Sequence, residues 1–183
     1  MKSLSVFCGS SSGINGTFTQ ATELLCKVLA DRNITLVYGG GSFGLMGVAA
    51  SAMMKYGGKV IGVIPTLLVE KEAAKRDITT LLVVDSMQER KSKMMELSDG
   101  FLILPGGVGT LDELFEMMAF INLGVHRKPC GILNTDGFYN HLINFVDHAT
   151  EQGFIRPATR RFLVHSAEPI SLLQMMEQLY ATQ

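Results

Sequence analysis

Two segments carry charged residues where packing alone does not ask for them. The first runs from Met87 to Leu97, opened by a capping box in which Ser86 precedes Glu89 by three residues. At ~100° per residue, Met87, Met94 and Ser98 share one face, and Arg90 and Lys91 fall inside it rather than beside Gln88, Glu89, Lys93 and Glu96. Buried cations need partners, so this placement asks for a ligand or a carboxylate between helices; the plainer alternative is a solvated pair. Arg90 suits a phosphate or carboxylate through its planar fork. The second segment, Thr110-Leu111-Asp112-Glu113, also has capping-box spacing, in which Glu113 reaches back to the amide of Thr110. Leu111, Leu114, Phe115 and Met118 form an apolar stripe, with Glu113, Glu116 and Phe120 on the other side. Glu113 is then either a cap or a poised acid near whatever the preceding turn holds, and spacing does not choose between them.

That turn is Pro105-Gly106-Gly107-Val108-Gly109-Thr110, a strand end leading through glycines and a hydroxyl into a helix. Converging backbone amides and the helix dipole make such a turn an anion cradle of the kind a phosphate monoester occupies, beyond its alternative as an ordinary turn. It lacks the Gly-Lys-[Ser/Thr] ending of a nucleoside triphosphatase loop. Gly39, Gly41 and Gly44 satisfy G-x-G-x-x-G, but the next strand ends Val63-Ile64-Pro65 without the acid that holds a dinucleotide ribose. Those glycines therefore read as a tight turn and close packing, and NAD or FAD is not expected.

The elements that position these residues are legible from their alternation. Short apolar runs at Leu4-Cys8, Thr35-Tyr38, Lys59-Ile64, Thr80-Val84, Phe101-Leu104 and Cys130-Leu133, with Leu163-His165 weaker, are separated by helical patterns. Near-continuous apolar strands are covered on both faces, so the expected fold is α/β, a single Rossmann-like doubly wound parallel sheet with helices on both faces, occupying 1–183 as one domain. Ligands bind such sheets outside the carboxyl ends of the strands, where the loops Cys8–Gly13, Tyr38–Gly44 and Pro105–Thr110 lie.

The 183 residues carry 16 Lys+Arg against 17 Asp+Glu, so a net charge of -1 gives no reason to expect nucleic acid or an anionic membrane as partner. No apolar stretch approaches the roughly 20 residues of a membrane crossing, and the start lacks a signal peptide's apolar core; a cytoplasmic location is expected. Cys8, Cys26 and Cys130 are odd in number and widely spaced, which argues for reduced core thiols over disulfides or zinc. His141 and His148, seven apart, have no further ligand set, and no metal is expected.

Met87-Gln88-Glu89-Arg90-Lys91 followed by Pro105-Gly106-Gly107-Val108-Gly109-Thr110-Leu111-Asp112-Glu113 resembles the M-x-x-R-K and P-G-G-x-G-T-x-x-E pair of the Lonely Guy (LOG) family. Phe7-Cys8-Gly9-Ser10-Ser11, Tyr38-Gly39-Gly40-Gly41 to Leu45-Met46-Gly47, Val84-Asp85-Ser86-Met87 and Leu123-Gly124-Val125-His126-Arg127-Lys128-Pro129 resemble it in the same order. The resemblance implies a cytokinin riboside 5'-monophosphate phosphoribohydrolase, a homodimer that uses water and no cofactor, with Arg90 and Glu113 catalytic. It also implies substrate contacts from Lys91, Gly106, Gly107, Val108, Gly109, Thr110 and Glu72. Members have often been labelled lysine decarboxylases, but nothing in this chain places a Schiff-base lysine opposite a partner for a pyridine nitrogen, so pyridoxal phosphate is not expected. Asp112 where Glu is frequent, Lys75 and Asp77 where His and Gly are usual, and Phe120-Ile121-Asn122 where a Trp is common depart from the family pattern and bear on which base is taken. An AMP-preferring housekeeping nucleosidase and a non-catalytic nucleotide-binding or sensor module are the alternatives. The dimer is expected from the resemblance, with the C-terminal helices as its candidate contact.

Overall fold

The computed structural model describes residues 1–14 and 16–182. Seven strands form one all-parallel sheet: β1 (Ser3–Phe7), β2 (Thr35–Tyr38), β3 (Val60–Pro65), β4 (Thr80–Val84), β5 (Gly100–Ile103), β6 (Cys130–Leu133) and β7 (Leu163–Ser166), in spatial order β4-β3-β2-β1-β5-β6-β7. Each expected strand is present, with ends shifted by at most one residue. Register follows the apolar runs: Leu4 pairs with Leu36 on one side and Gly100 on the other, and Val6 with Tyr38 and Leu102. Parallel pairing forces each connection to cross a face, and helices supply the crossings except between β3 and β4, where an irregular excursion with one short 3-10 turn (Thr66–Leu68) does so.

Helices α1 (Gly16–Asp31), α2 (Gly44–Lys55), α3 (Met87–Glu96), α4 (Val108–Asn122), α5 (Asn140–Glu151), α6 (Pro157–Arg160) and α7 (Pro169–Ala181) follow in chain order. Because alternate residues of a strand point to opposite faces, β1 sends Leu4 and Val6 into a core with Leu25 and Leu29 of α1, Ala49 and Met53 of α2, and Leu172 and Met176 of α7. It sends Phe7 into a second core with Met94 of α3, Leu114 and Met117 of α4, and Ile143 and Val146 of α5. Phe7 stacks on Phe101 there, ring centroids 5.8 Å apart. This is the doubly wound arrangement, with helices on both faces, that the alternation of elements predicts.

The strand order reverses between β1 and β5, so the chain leaves these neighbours toward opposite faces and a crevice opens above them. Three glycine-rich loops meet at it. The amide of Gly9 donates to the carbonyl of Pro105 at 3.0 Å, and the carbonyl of Gly9 accepts from the amide of Leu45 at 3.1 Å. The three cysteines are free and buried. Among the described residues no helix is long and apolar enough to cross a membrane, and no group of three or more His, Cys, Asp or Glu is placed to hold a metal ion.

Candidate active site

Helix α4 begins at Val108, and its N-cap is Gly107, three residues before the expected cap Thr110, with no side-chain cap. Val108 and Gly109 are already helical, so Thr110 lies inside the first turn and is buried, its Oγ1 only 2.1 Å from where a Cβ on Gly106 would stand. The capping-box reading of Glu113 is therefore corrected: its carboxyl is one and a half turns into the helix, out of reach of an N-cap amide. The apolar stripe shifts too. Leu114, Met117, Met118 and Ile121 are buried, whereas Phe115 is 37% exposed. With that face buried, Glu113 lies at its edge and lines the cavity beside Cys8 and Gly9 instead of pointing away from the sheet.

The α3 capping box is present: Ser86 Oγ accepts from the amide of Glu89 at 3.1 Å, and Glu89 Oε2 accepts from the amide of Asp85 at 2.8 Å. Arg90, one turn in, is 5% exposed. Its Nη1 is 3.9 Å from Glu72 Oε2 and 3.9 Å from the sulfur of Met87. Arg90 Nε and Glu72 Oε2 are buried with no hydrogen-bond partner among the described residues. A buried charged donor and acceptor left unmet cost on the order of 1–3 kcal/mol each, a cost that a ligand meeting them removes.

Glu72 reaches the site from the excursion between β3 and β4, which is tied to the β2–α2 loop by the amide of Ser42 donating to the Glu72 carbonyl and the amide of Lys75 donating to the Gly40 carbonyl, both at 2.9 Å. Ala73, directly after it, takes φ 46°, a left-handed conformation that costs a non-glycine residue ~1 kcal/mol or more.

Cys8, Gly9 and Ser10 from β1, Met46 from α2, Leu68 and Glu72, Met87 and Arg90 from α3, and Gly107 to Thr110 with Asp112 and Glu113 from α4 line one cavity of about 270 Å³. Glu72, Gly107, Val108, Gly109, Thr110, Arg90 and Glu113 are thus brought together. Gly106 lies just outside, in an adjoining cavity of about 290 Å³ that shares Gly9, Ser10 and Gly107. Lys91 does not line either. Its Nζ lies 3.1 Å from Asp112 and 3.1 Å from Glu116, bridging α3 to α4. Burial works against the ammonium, but these two hydrogen-bonded carboxylates outweigh it and hold its pKa above the usual lysine range. Of the two sequence alternatives for the cations, Lys91 takes the carboxylate between helices.

Burial pushes the Glu113 carboxyl up to about 7; Arg90 opposes this, and Asp112 adds to it. The site therefore holds an acid that titrates near neutrality, within one cavity with a guanidinium and a helix N-terminus. Burial also raises the Cys8 thiol, so it stays protonated and is no nucleophile. Cys8 and Ser10 lie in the Cys8–Gly13 loop, and Met46 in the Leu45–Gly47 stretch, that the sequence marks; Leu68 was not singled out and has no signal in the sequence.

The fold and the site define a class: a doubly wound α/β protein whose β5–α4 turn faces a cavity lined by the buried Arg90 and the half-buried Glu72 and Glu113. A family model described as possible lysine decarboxylase matches residues 46–176. The chain is 45% identical over 176 residues to cytokinin riboside 5'-monophosphate phosphoribohydrolase LOG5 of Arabidopsis thaliana, covering 96% of this chain and 77% of that one. It is 48% identical over 173 residues to the probable phosphoribohydrolase of the same substrates LOGL9 of Oryza sativa subsp. japonica, covering 94% and 76%. The molybdenum cofactor binding protein of Rippkaea orientalis shares the fold, with TM-score 0.71 at 19% identity over 97% of this chain and 96% of that one. The chain belongs to the LOG family.

Proposed function

We propose that this protein is a hydrolase that cleaves the N-glycosidic bond of cytokinin riboside 5'-monophosphates, and of AMP, releasing free base and ribose 5-phosphate. The observation that carries the reading is Glu113, an acid displaced to about 7, in one cavity with Arg90 and the amides of the α4 N-terminus. The named activity of relatives at 45% and 48% identity supports it.

The 5'-phosphate docks at Gly106 to Thr110, where unpaired first-turn amides and the helix dipole favour an anion. Breaking the bond between C1' and the base nitrogen leaves its electron pair on the base and positive charge on the sugar. Glu113, ionised, stabilises that charge and aims the attacking water, whose oxygen bonds to C1'; the water's proton ends on the base. A pKa near the working pH lets one carboxyl both accept and return a proton. Arg90 stabilises the departing base as it takes up the electron pair, and Glu72 orients Arg90 and accepts from a ribose hydroxyl. Lys91 acts as a strut between α3 and α4.

The family model's description suggests a Schiff-base lysine, but no residue lining the cavity is a lysine, and Lys91 Nζ is held by two carboxylates. A pure nucleotide binder would need the glycine turn without an acid and a guanidinium facing the same ligand. The single-domain enzyme works in the cytoplasm, where free buried thiols persist, as a homodimer. An apolar depression of about 210 Å³ on α4 and the α5–α6 turn, with Phe115, Ala119, Phe154 and Ile155, is its contact. Incubating the purified protein with AMP or isopentenyladenosine monophosphate and assaying ribose 5-phosphate tests the reading. Release from the prenylated nucleotide at a higher kcat/KM is expected, preference for AMP points to the housekeeping nucleosidase, and tight binding without release points to the sensor module.

A further inference from the structure

The G-x-G-x-x-G run after β2 has no place in the phosphate cradle, and the structure gives its glycines separate neighbours. A Cβ on Gly44 would stand 2.3 Å from the Ser10 and Ser11 backbone, and one on Gly41 3.2 Å from Glu72 Oε2. On Gly39 it would stand 1.8 Å from Nη2 and 2.8 Å from Cζ of Arg90. Gly40 and Gly44 have φ of 79° and 56°, which favour glycine by backbone conformation alone, whereas Gly39 is outside the left-handed region. The three atoms nearest that Cβ all belong to the Arg90 guanidinium, so an alanine at 39 meets the guanidinium first.

Little else fixes that guanidinium. Its contacts with Glu72 and Met87 are both 3.9 Å, longer than a charge-assisted hydrogen bond, and its Nε has no partner among the described residues. A side chain with this much rotamer freedom needs a wall to be preorganised. We propose that Gly39 is a positioning residue: the space left by its missing side chain is the seat of the Arg90 guanidinium, and it aims the fork into the cavity between Glu72 and Glu113. The glycine motif that resembles a dinucleotide loop thus serves a cation of the protein itself. This inference rests on the proposed hydrolase in so far as Arg90 acts on the departing base.

The test is a double-mutant cycle on the full chain with Gly39→Ala, Arg90→Ala and both together. Turnover of isopentenyladenosine monophosphate, KM and thermal midpoint are measured for each. Gly39→Ala is expected to lower kcat about tenfold or more with KM within about threefold, and to add nothing to the loss caused by Arg90→Ala. Gly39→Ala is also expected to lower the thermal midpoint in the wild-type background but not beside Arg90→Ala, where the Cβ has room. Folding of the double variant when Gly39→Ala alone fails supports the seat as well. Multiplicative kcat losses, wild-type turnover of Gly39→Ala, an equal fall in midpoint in both backgrounds, or failure to fold in both would overturn it. If the wild-type protein hydrolyses no nucleoside monophosphate, the proposed function fails while the stability cycle still decides the seat.

Discussion

Replacing Glu113 by glutamine separates stability from chemistry in a way the geometry makes quantitative. In the folded chain the carboxyl titrates at about 7 rather than at an ordinary 4.5, because burial disfavours its charge more than Arg90 favours it. A raised folded pKa means that the native state holds the proton more tightly than the unfolded one. The stabilisation is complete below about pH 4.5 and is lost as pH rises through 7. At roughly 1.4 kcal/mol per pH unit of displacement, ionising Glu113 costs the native state about 3 kcal/mol by pH 8. Glu113→Gln keeps the shape and cannot ionise, so its stability should match wild type near pH 4.5 and exceed it by about 3 kcal/mol above pH 8. For a chain of this length that is about 6–12 °C in thermal midpoint. Turnover should fall ~10²–10⁴-fold while nucleotide still binds. Thermal melts from pH 4.5 to 9, with ribose 5-phosphate release at each pH, make the measurement. A midpoint difference that does not grow between pH 5 and 8 would refute the displaced pKa, and wild-type turnover would refute the role.

Arg90→Ala removes the cation that holds the Glu113 carboxyl down, so residual activity should move its acidic limb to higher pH as kcat falls at least ~10²-fold; a pH–rate profile reads both. Lys91→Met cuts the strut between α3 and α4, and since Lys91 does not line the cavity, kcat should fall several-fold with KM nearly unchanged in steady-state kinetics, whereas a substrate contact would raise KM. Gly106→Ala puts a Cβ 2.1 Å from Thr110 Oγ1 and 2.9 Å from the amide of Gly9, so the turn must shift, and calorimetry should show at least about tenfold weaker binding of AMP. Phe154→Glu, at a side chain 88% exposed beside the α4 depression, should turn a dimer into a monomer by light scattering without changing the thermal midpoint of the subunit.

The seven strands and their parallel pairing were legible because each is a short apolar run, and all but β3 are followed by a helical pattern. Periodicity of side chains is a local property that the chain displays before it folds. Arg90 was legible for the same reason, as a cation at a position that the α3 repeat reserves for an apolar residue. The Pro105–Thr110 turn announced itself by composition. The start of α4 did not: Thr110 and Glu113 have capping-box spacing, and only the tertiary structure, with Thr110 packed under Gly106, shows that the helix begins at Val108 and that Glu113 lines the cavity. Lys91 and Arg90 are adjacent and alike in sequence, yet they part company in the fold, because successive helical residues point about 100° apart and meet different helices. One faces Asp112 and Glu116, the other faces Gly39 and Glu72. Glu72 is the clearest case of what only the tertiary structure decides. It stands in an irregular excursion with no period to read, and it reaches Arg90 because Ser42 and Lys75 tie that excursion to the β2–α2 loop. Which residues are buried follows from local pattern, but which buried charges meet depends on loop paths and helix rotations that long-range contacts alone set.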